Sequence, residues 1–130
     1  MNTGKAIYAI LSTDAGVTAI TTLIYGNEAR QGVDFPCVVY NIISAVPINT
    51  KSGSAAYSVR VQVDSLADSY DAASALNLAV IAALKDKALG TYGGVYVQTI
   101  KMDSSQDLTG TDGFDGINRI STDFIVYHNG

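Results

Sequence analysis

Tyr57–Ser58–Val59–Arg60–Val61–Gln62–Val63–Asp64, followed within a few residues by a helical pattern over 69–87, decides how this chain folds. The first segment alternates apolar and polar residues without a fault. Successive strand side chains point to opposite faces, so Tyr57, Val59, Val61 and Val63 share one face and Ser58, Arg60, Gln62 and Asp64 the other. That is the pattern of a half-buried strand. The second segment changes period. Ala72, Ala73, Leu76, Val80, Ala83 and Leu84 fall on one helical stripe. Asp68 or Ser69 can cap its start, and Asp71 lies in the first turn, where the helix dipole favours an anion. Lys85 and Lys87 lie near its end, and Gly90 follows as a stop.

Upstream, Asn2 or Thr3 can cap a first helix over about 4–13, with Ile7, Ile10 and Leu11 on one side. Asp14, Ala15 and Gly16 break it. Residues 17–22 carry β-branched residues and form at most another short turn of helix. Residues 27–34 read as loop. Phe35–Pro36 announces a strand, because proline pushes the preceding residue to extended geometry. Residues 37–46 are a nearly continuous apolar run that suits a strand covered on both faces, ended by Pro47. Residues 48–56 are small and polar, and read as a projecting loop between two strands.

Downstream, residues 91–94 turn the chain. Along 95–102 the apolar parity changes after Gln98, from Val95 and Val97 to Ile100 and Met102, so a bulge is expected near Thr99. Residues 103–116 read as a polar acidic loop. Residues 117–128 form a last strand, with Ile120, Thr122, Phe124 and Val126 alternating against Arg119, Ser121, Asp123 and Tyr127. The expected fold class is α+β: one domain over 1–130 with a mainly antiparallel four-stranded sheet, packed by a long helix at about 69–87 and a short N-terminal helix.

Composition narrows the function. The chain has 130 residues, one cysteine, one histidine and a net charge of −4. Cys37 and His128 alone make neither a disulfide framework nor a His/Cys zinc site. The eight Lys and Arg residues are scattered, which argues against tight nucleic-acid binding. No apolar run approaches the roughly 18–20 residues that cross a bilayer, and the N-terminus lacks a signal peptide's pattern. The expected setting is a soluble, intracellularly made domain without a membrane partner.

The motifs that invite chemistry each have a plainer explanation. Asp107, Asp112 and Asp115 suggest calcium, but an EF-hand loop begun at Asp107 puts Thr109, Thr111 and Asp112 at positions 3, 5 and 6, where the motif fails. A Cys37–His128 couple needs neighbouring strands, and Cys37 is otherwise a small buried apolar residue. Asp64 and Asp68 suit a turn and a cap. No phosphate-cradling glycine loop is present. The sequence therefore predicts no enzyme, no cofactor and no metal.

The informative anomaly is on the 69–87 helix. With Leu76, Val80 and Leu84 against the sheet, Leu78 points about 180° away at roughly 100° per residue. Tyr70 and Ile81 flank it, and Ala75, Ala79 and Ala82 make a further smooth side. A helix apolar well beyond one stripe is buried on more than one side. A neighbouring subunit is the expected cover, with Tyr70, Ala75, Leu78, Ile81 and Ala82 as interface residues.

Several pieces in order carry a resemblance. They are Ile7–Tyr8–Ala9–Ile10–Leu11 with Asp14–Ala15–Gly16–Val17; Ile24–Tyr25; Phe35–Pro36–Cys37–Val38–Val39–Tyr40; and Val59 through Tyr70 leading into an alanine-rich helix. Gly93–Gly94–Val95–Tyr96–Val97–Gln98, Asp107–Leu108 and the closing Ser121–Thr122–Asp123–Phe124–Ile125–Val126–Tyr127 complete the set. In these the chain resembles the tail completion (tail-to-head joining) family of long-tailed bacteriophages, which is similar in fold and role to tail terminators. The resemblance implies a structural virion protein, assembled in the host cytoplasm. It would form a six-fold ring on the head-proximal end of the tail tube, stop tube growth and join the tail to the neck. The implied partners are further copies of the chain, the major tail tube protein, a neck or head-completion (stopper) protein, and viral DNA that passes through the lumen without specific binding. Asn49, Thr50, Lys51, Ser52 and Gly53 are then candidate docking-loop residues. Asp103, Asp107, Asp112 and Asp115 are candidate lumen acids, since negative charge lets a duplex slide. The alternatives are a neck stopper, adaptor or other minor tail protein, and, from another class, a small ligand-binding or enzymatic domain.

Overall fold

The computed structural model describes residues 2–26, 35–50, 53–107 and 117–129. In chain order the elements are α1 (Thr3–Thr13), α2 (Ala15–Thr18), β1 (Ile24–Gly26), β2 (Cys37–Thr50), β3 (Gly53–Ala67), α3 (Tyr70–Leu84), β4 (Gly90–Tyr92), β5 (Val95–Asp107) and β6 (Asn118–Asn129). The six strands form one sheet in the order β1-β2-β3-β6-β5-β4. β1 runs parallel to β2, and the other neighbours are antiparallel. No described helix is long and apolar enough to cross a membrane.

β3 is the centre, and its alternation is the one the sequence announces. Val59, Val61 and Val63 are fully buried beneath the helices. They meet Ile7, Ile10 and Leu11 of α1, Val17 of α2, Leu76, Val80 and Leu84 of α3, and Ile100, Phe124 and Val126 of the sheet in one core. Each such side chain taken wholly out of water contributes roughly 1.5–3 kcal/mol, so this face holds the fold together. A smaller cluster forms on the opposite face at one end. There Cys37, Val39 and Leu66 lie under Leu23, Tyr25, Phe35 and Ile117.

The expected four-stranded, mainly antiparallel sheet under a long helix is overturned. The sheet has six strands and is mixed, and the longest helix has 15 residues. The two added strands have three residues each, too short for alternation to show as a period. α3 stops at Leu84 rather than Lys87 because Lys85 is extended at ψ 129 and Asp86 takes φ 55, a conformation that ends a helix and that Asp tolerates.

Two supposed loops are partly strand. β2 runs through Pro47 to Thr50, and Thr50 pairs with Gly53, so the described residues of the loop over 48–56 are strand. Pro47 is tolerated because, among the described residues, β1 pairs only with Val38, Val39 and Tyr40, and Pro47 sits on the part of β2 paired on one side only, where proline is accommodated. β5 likewise continues through Asp103 to Asp107. Small polar residues suggested coil at both places, yet ladder bonds come from the backbone, and exposed edges favour polar side chains. The loop expected over 27–34 lies outside the described residues.

The bulge is where the parity change puts it. The β5–β6 register shifts between Val97 and Thr99, so Val95, Val97 and Ile100 all reach the core.

Candidate functional site

α3 begins at Ser69, whose side chain accepts a hydrogen bond from the backbone N–H of Ala72. Its inner side buries Ala73, Leu76, Asn77, Val80, Ala83 and Leu84. Asn77 is a polar residue that periodicity does not select. Its Oδ1 accepts a 2.7 Å hydrogen bond from Thr122 Oγ1, and Thr122 shares a 3.0 Å bond with Ser105. This chain of polar groups fixes the helix's position on β6.

The outer side is bare. Leu78 is 64% exposed and Tyr70 55%, and Ala75 and Ala82 are exposed as well. Ile81 differs from these four: it is half-buried and packs against the main core. Asp71 is the sole charged residue within α3.

A second apolar surface lies on β2, where the sequence suggested cover on both faces. Only Cys37, Val38 and Val39 have it. Farther along, Ile43 is 51% and Val46 59% exposed, and Ile42 and Ile48 are also exposed. The signal that marks this as an edge was Pro47 itself. Asn49, Thr50 and Gly53 are strand residues at the far end of this hairpin. Lys51 and Ser52 lie outside the described residues.

Beyond the Cys37 cluster, the sheet face away from the helices carries a set of polar pairs. Arg60 Nη1 donates to Asp103 Oδ2 at 2.7 Å and to Asp123 Oδ2 at 3.2 Å, and these bonds, Asp103 first, raise the guanidinium's pKa. Arg119 donates twice to Asp64 Oδ2, at 3.1 and 2.9 Å, and Gln62 Nε2 donates to Asp64 Oδ1 at 3.1 Å. Asp64 is thus a buried strand residue, as the alternation over 57–64 has it. Of the four acids considered together, Asp103 is paired with Arg60 and Asp107 ends β5. Asp112 and Asp115 lie outside the described residues.

Cys37 and His128 are held apart. Cys37 pairs with Leu66 on one side of β3, and His128 pairs with Tyr57 on the other side, nine residues away. At about 3.3 Å per residue that separates them by roughly 30 Å. His128 is buried and shares a 2.7 Å hydrogen bond with Thr3 Oγ1 through Nε2. Its Nδ1 lies 2.7 Å from the Asn129 carbonyl. That carbonyl can only accept, so Nδ1 carries a hydrogen. Burial pushes the Cys37 thiol up to about 11, the reverse of what activates a nucleophile.

Solved structures share this fold. A chain from the virion of a native gene transfer agent particle superposes with a TM-score of 0.75 at 19% identity, covering 96% of this chain and 92% of that one. A second solved chain gives a TM-score of 0.54 at 15% identity, covering 95% of this chain and 94% of that one. None of the curated proteins matches the sequence. The family described as tail completion protein gp17 matches over residues 5–129. The chain therefore belongs to the phage tail completion family, and it is a structural protein of the virion tail.

Proposed function

We propose that copies of this chain close into a six-fold ring at the head-proximal end of the tail tube. The ring ends tube growth, meets the major tail tube protein on one side and a neck or stopper protein on the other, and lets DNA pass through its lumen. The observation that carries self-association is the outer side of α3. Leu78 and Tyr70 stand in water at 64% and 55% exposure, on a helix whose inner side is already packed. Burying a leucine fully contributes roughly 1.5–3 kcal/mol, and in a ring every copy gains it. Ring closure needs a head-to-tail contact between unlike surfaces, and the bare stretch of β2 supplies a second apolar surface on the same chain.

Asp103, Asp107, Asp112 and Asp115 would line the lumen. Asp103 itself pairs with Arg60, and Asp107, Asp112 and Asp115 are the other three. Replacing these three with asparagine should slow DNA ejection; unchanged kinetics would remove them from the lumen.

The direct test is the copy number of the chain in purified tails, measured beside the mass of the purified chain by light scattering over a concentration series. A ring gives six copies per tail. One copy per tail would overturn it.

A further inference from the structure

We infer that the outer stretch of β2 from one copy lies across the outer side of α3 of the next, so that each subunit gives one such contact and receives one. This rests on the ring reading and names the two surfaces that make it.

The β2 surface is side chain rather than backbone. Beyond Tyr40, β2 pairs with no described strand on its outer side, which ordinarily invites another strand. Here the edge is a poor template. The register shifts between Ile42 and Ser44, and Pro47 offers no N–H. What it does offer is exposed apolar side chains on both faces, Ile42 opposite Val61 on the helix side and Val46 and Ile48 opposite Ser58 and Ala56 on the other, with Ile43 at the register shift and no charged residue anywhere in β2. The open edge of β5 on the other flank does not match it. Lys101 there is paired with Asp86 at 2.7 Å and Asp103 with Arg60 at 2.7 Å, and an apolar strand laid on them would desolvate both pairs.

The outer side of α3 does match. Leu78 and Tyr70 project from it, with Ser74, Ala75 and Ala82 between and beside them. Small residues beside a large one leave hollows, and branched side chains such as Ile43 and Val46 fill hollows of that kind. The one charge, Asp71, lies in the first turn, on the same side as Leu78 but two turns from it. Reach favours a neighbour as well. β2 and β3 continue as a hairpin to the Thr50–Gly53 pair, past the last described β3–β6 pair at Ala56. Because the two surfaces differ, the contact repeats in one sense around a ring, whereas hairpin against hairpin would stop at a two-fold pair.

A double variant, Val46→Cys with Leu78→Cys, tests this with a short thiol crosslinker on assembled tails and on the purified chain at concentrations where it assembles. Native Cys37 is buried and stays out of the reaction. The expected result is a ladder of covalent species above the dimer in the double variant and none in either single variant. A charge exchange gives an independent reading. Val46→Glu and Leu78→Lys should each weaken assembly roughly tenfold or more, and the two together should recover part of the loss, with thermal unfolding as the check on folding. Six copies per tail without the crosslink would overturn these surfaces and leave the ring standing. Dimers from Val46→Cys alone would replace the contact by a two-fold one. One copy per tail would overturn both the contact and the ring.

Discussion

Gly93 shows how much one residue can fix. It and Gly94 have φ of 57 and 80, and they join β4 to β5 in a two-residue turn of the kind that needs positive φ at both positions. Gly93 also touches α1, since a Cβ there would stand 2.5 Å from the Lys5 carbonyl oxygen. Gly93→Ala is therefore expected to cost about 2 kcal/mol or more, from left-handed strain together with displacement of α1. Chemical denaturation measures it. Gly94 has open space around its Cβ position, so Gly94→Ala should cost less. Cys37 gives a second prediction. With its native thiol at about 11, alkylation at pH 8 should be far slower in the folded chain than in the unfolded one. The sign for stability follows. The unfolded thiol ionises near its ordinary value and the folded one does not, so this thiol's contribution to stability is lost as pH rises from about 9 toward 11. Equal labelling rates would mean that Cys37 is not buried. The glycine pair was visible in the sequence as a turn. Its contact with α1 was not, because residues more than eighty positions apart carry no local signal of meeting.

Elements were legible where their period was long and each face had one solvent. β3 and α3 satisfy this, and the parity change in β5 located its bulge. β2 failed for a physical reason. Continuous apolar residues mean burial on both faces only if something covers both, and here cover ends after Val39. Tyr40 still packs against the core, but Ile42, Ile43, Val46 and Ile48 are exposed, a condition that sequence cannot separate from burial by another chain. β1 and β4, at three residues each, exist because longer neighbours offer them an edge. The outer side of α3 was legible as an excess of apolar residues, and four of the five nominated residues are exposed there; Ile81 is taken up by the chain's own core. Leu78→Lys is expected to leave the unfolding temperature within about a degree or two, since an exposed site away from caps and core moves stability by less than about 0.5 kcal/mol. The same change should weaken self-assembly. Normal assembly of the variant, read by light scattering, would take α3 out of the interface.

At the scale of the whole molecule, the sheet divides the work. One face is closed by α1, α2 and α3 over a core that accounts for the fold. The other carries ion pairs such as Arg60 with Asp103 and Asp123 and Arg119 with Asp64. Such pairs keep the face polar and wet while adding little to stability where they are exposed. Much of the exposed apolar surface lies on α3 and the outer part of β2, with Tyr8, Leu89 and Tyr96 exposed elsewhere. Membership of the tail completion family places the chain in the virion tail, and capping of the tube is the central claim about what it does there. The measurement that tests it most directly is the length distribution of tail tubes assembled in infected cells with and without this chain, read by electron microscopy. A cap that ends growth predicts uniform tubes in its presence, and tubes of irregular, extended length without heads in its absence. Tubes of normal, uniform length without the chain would contradict it.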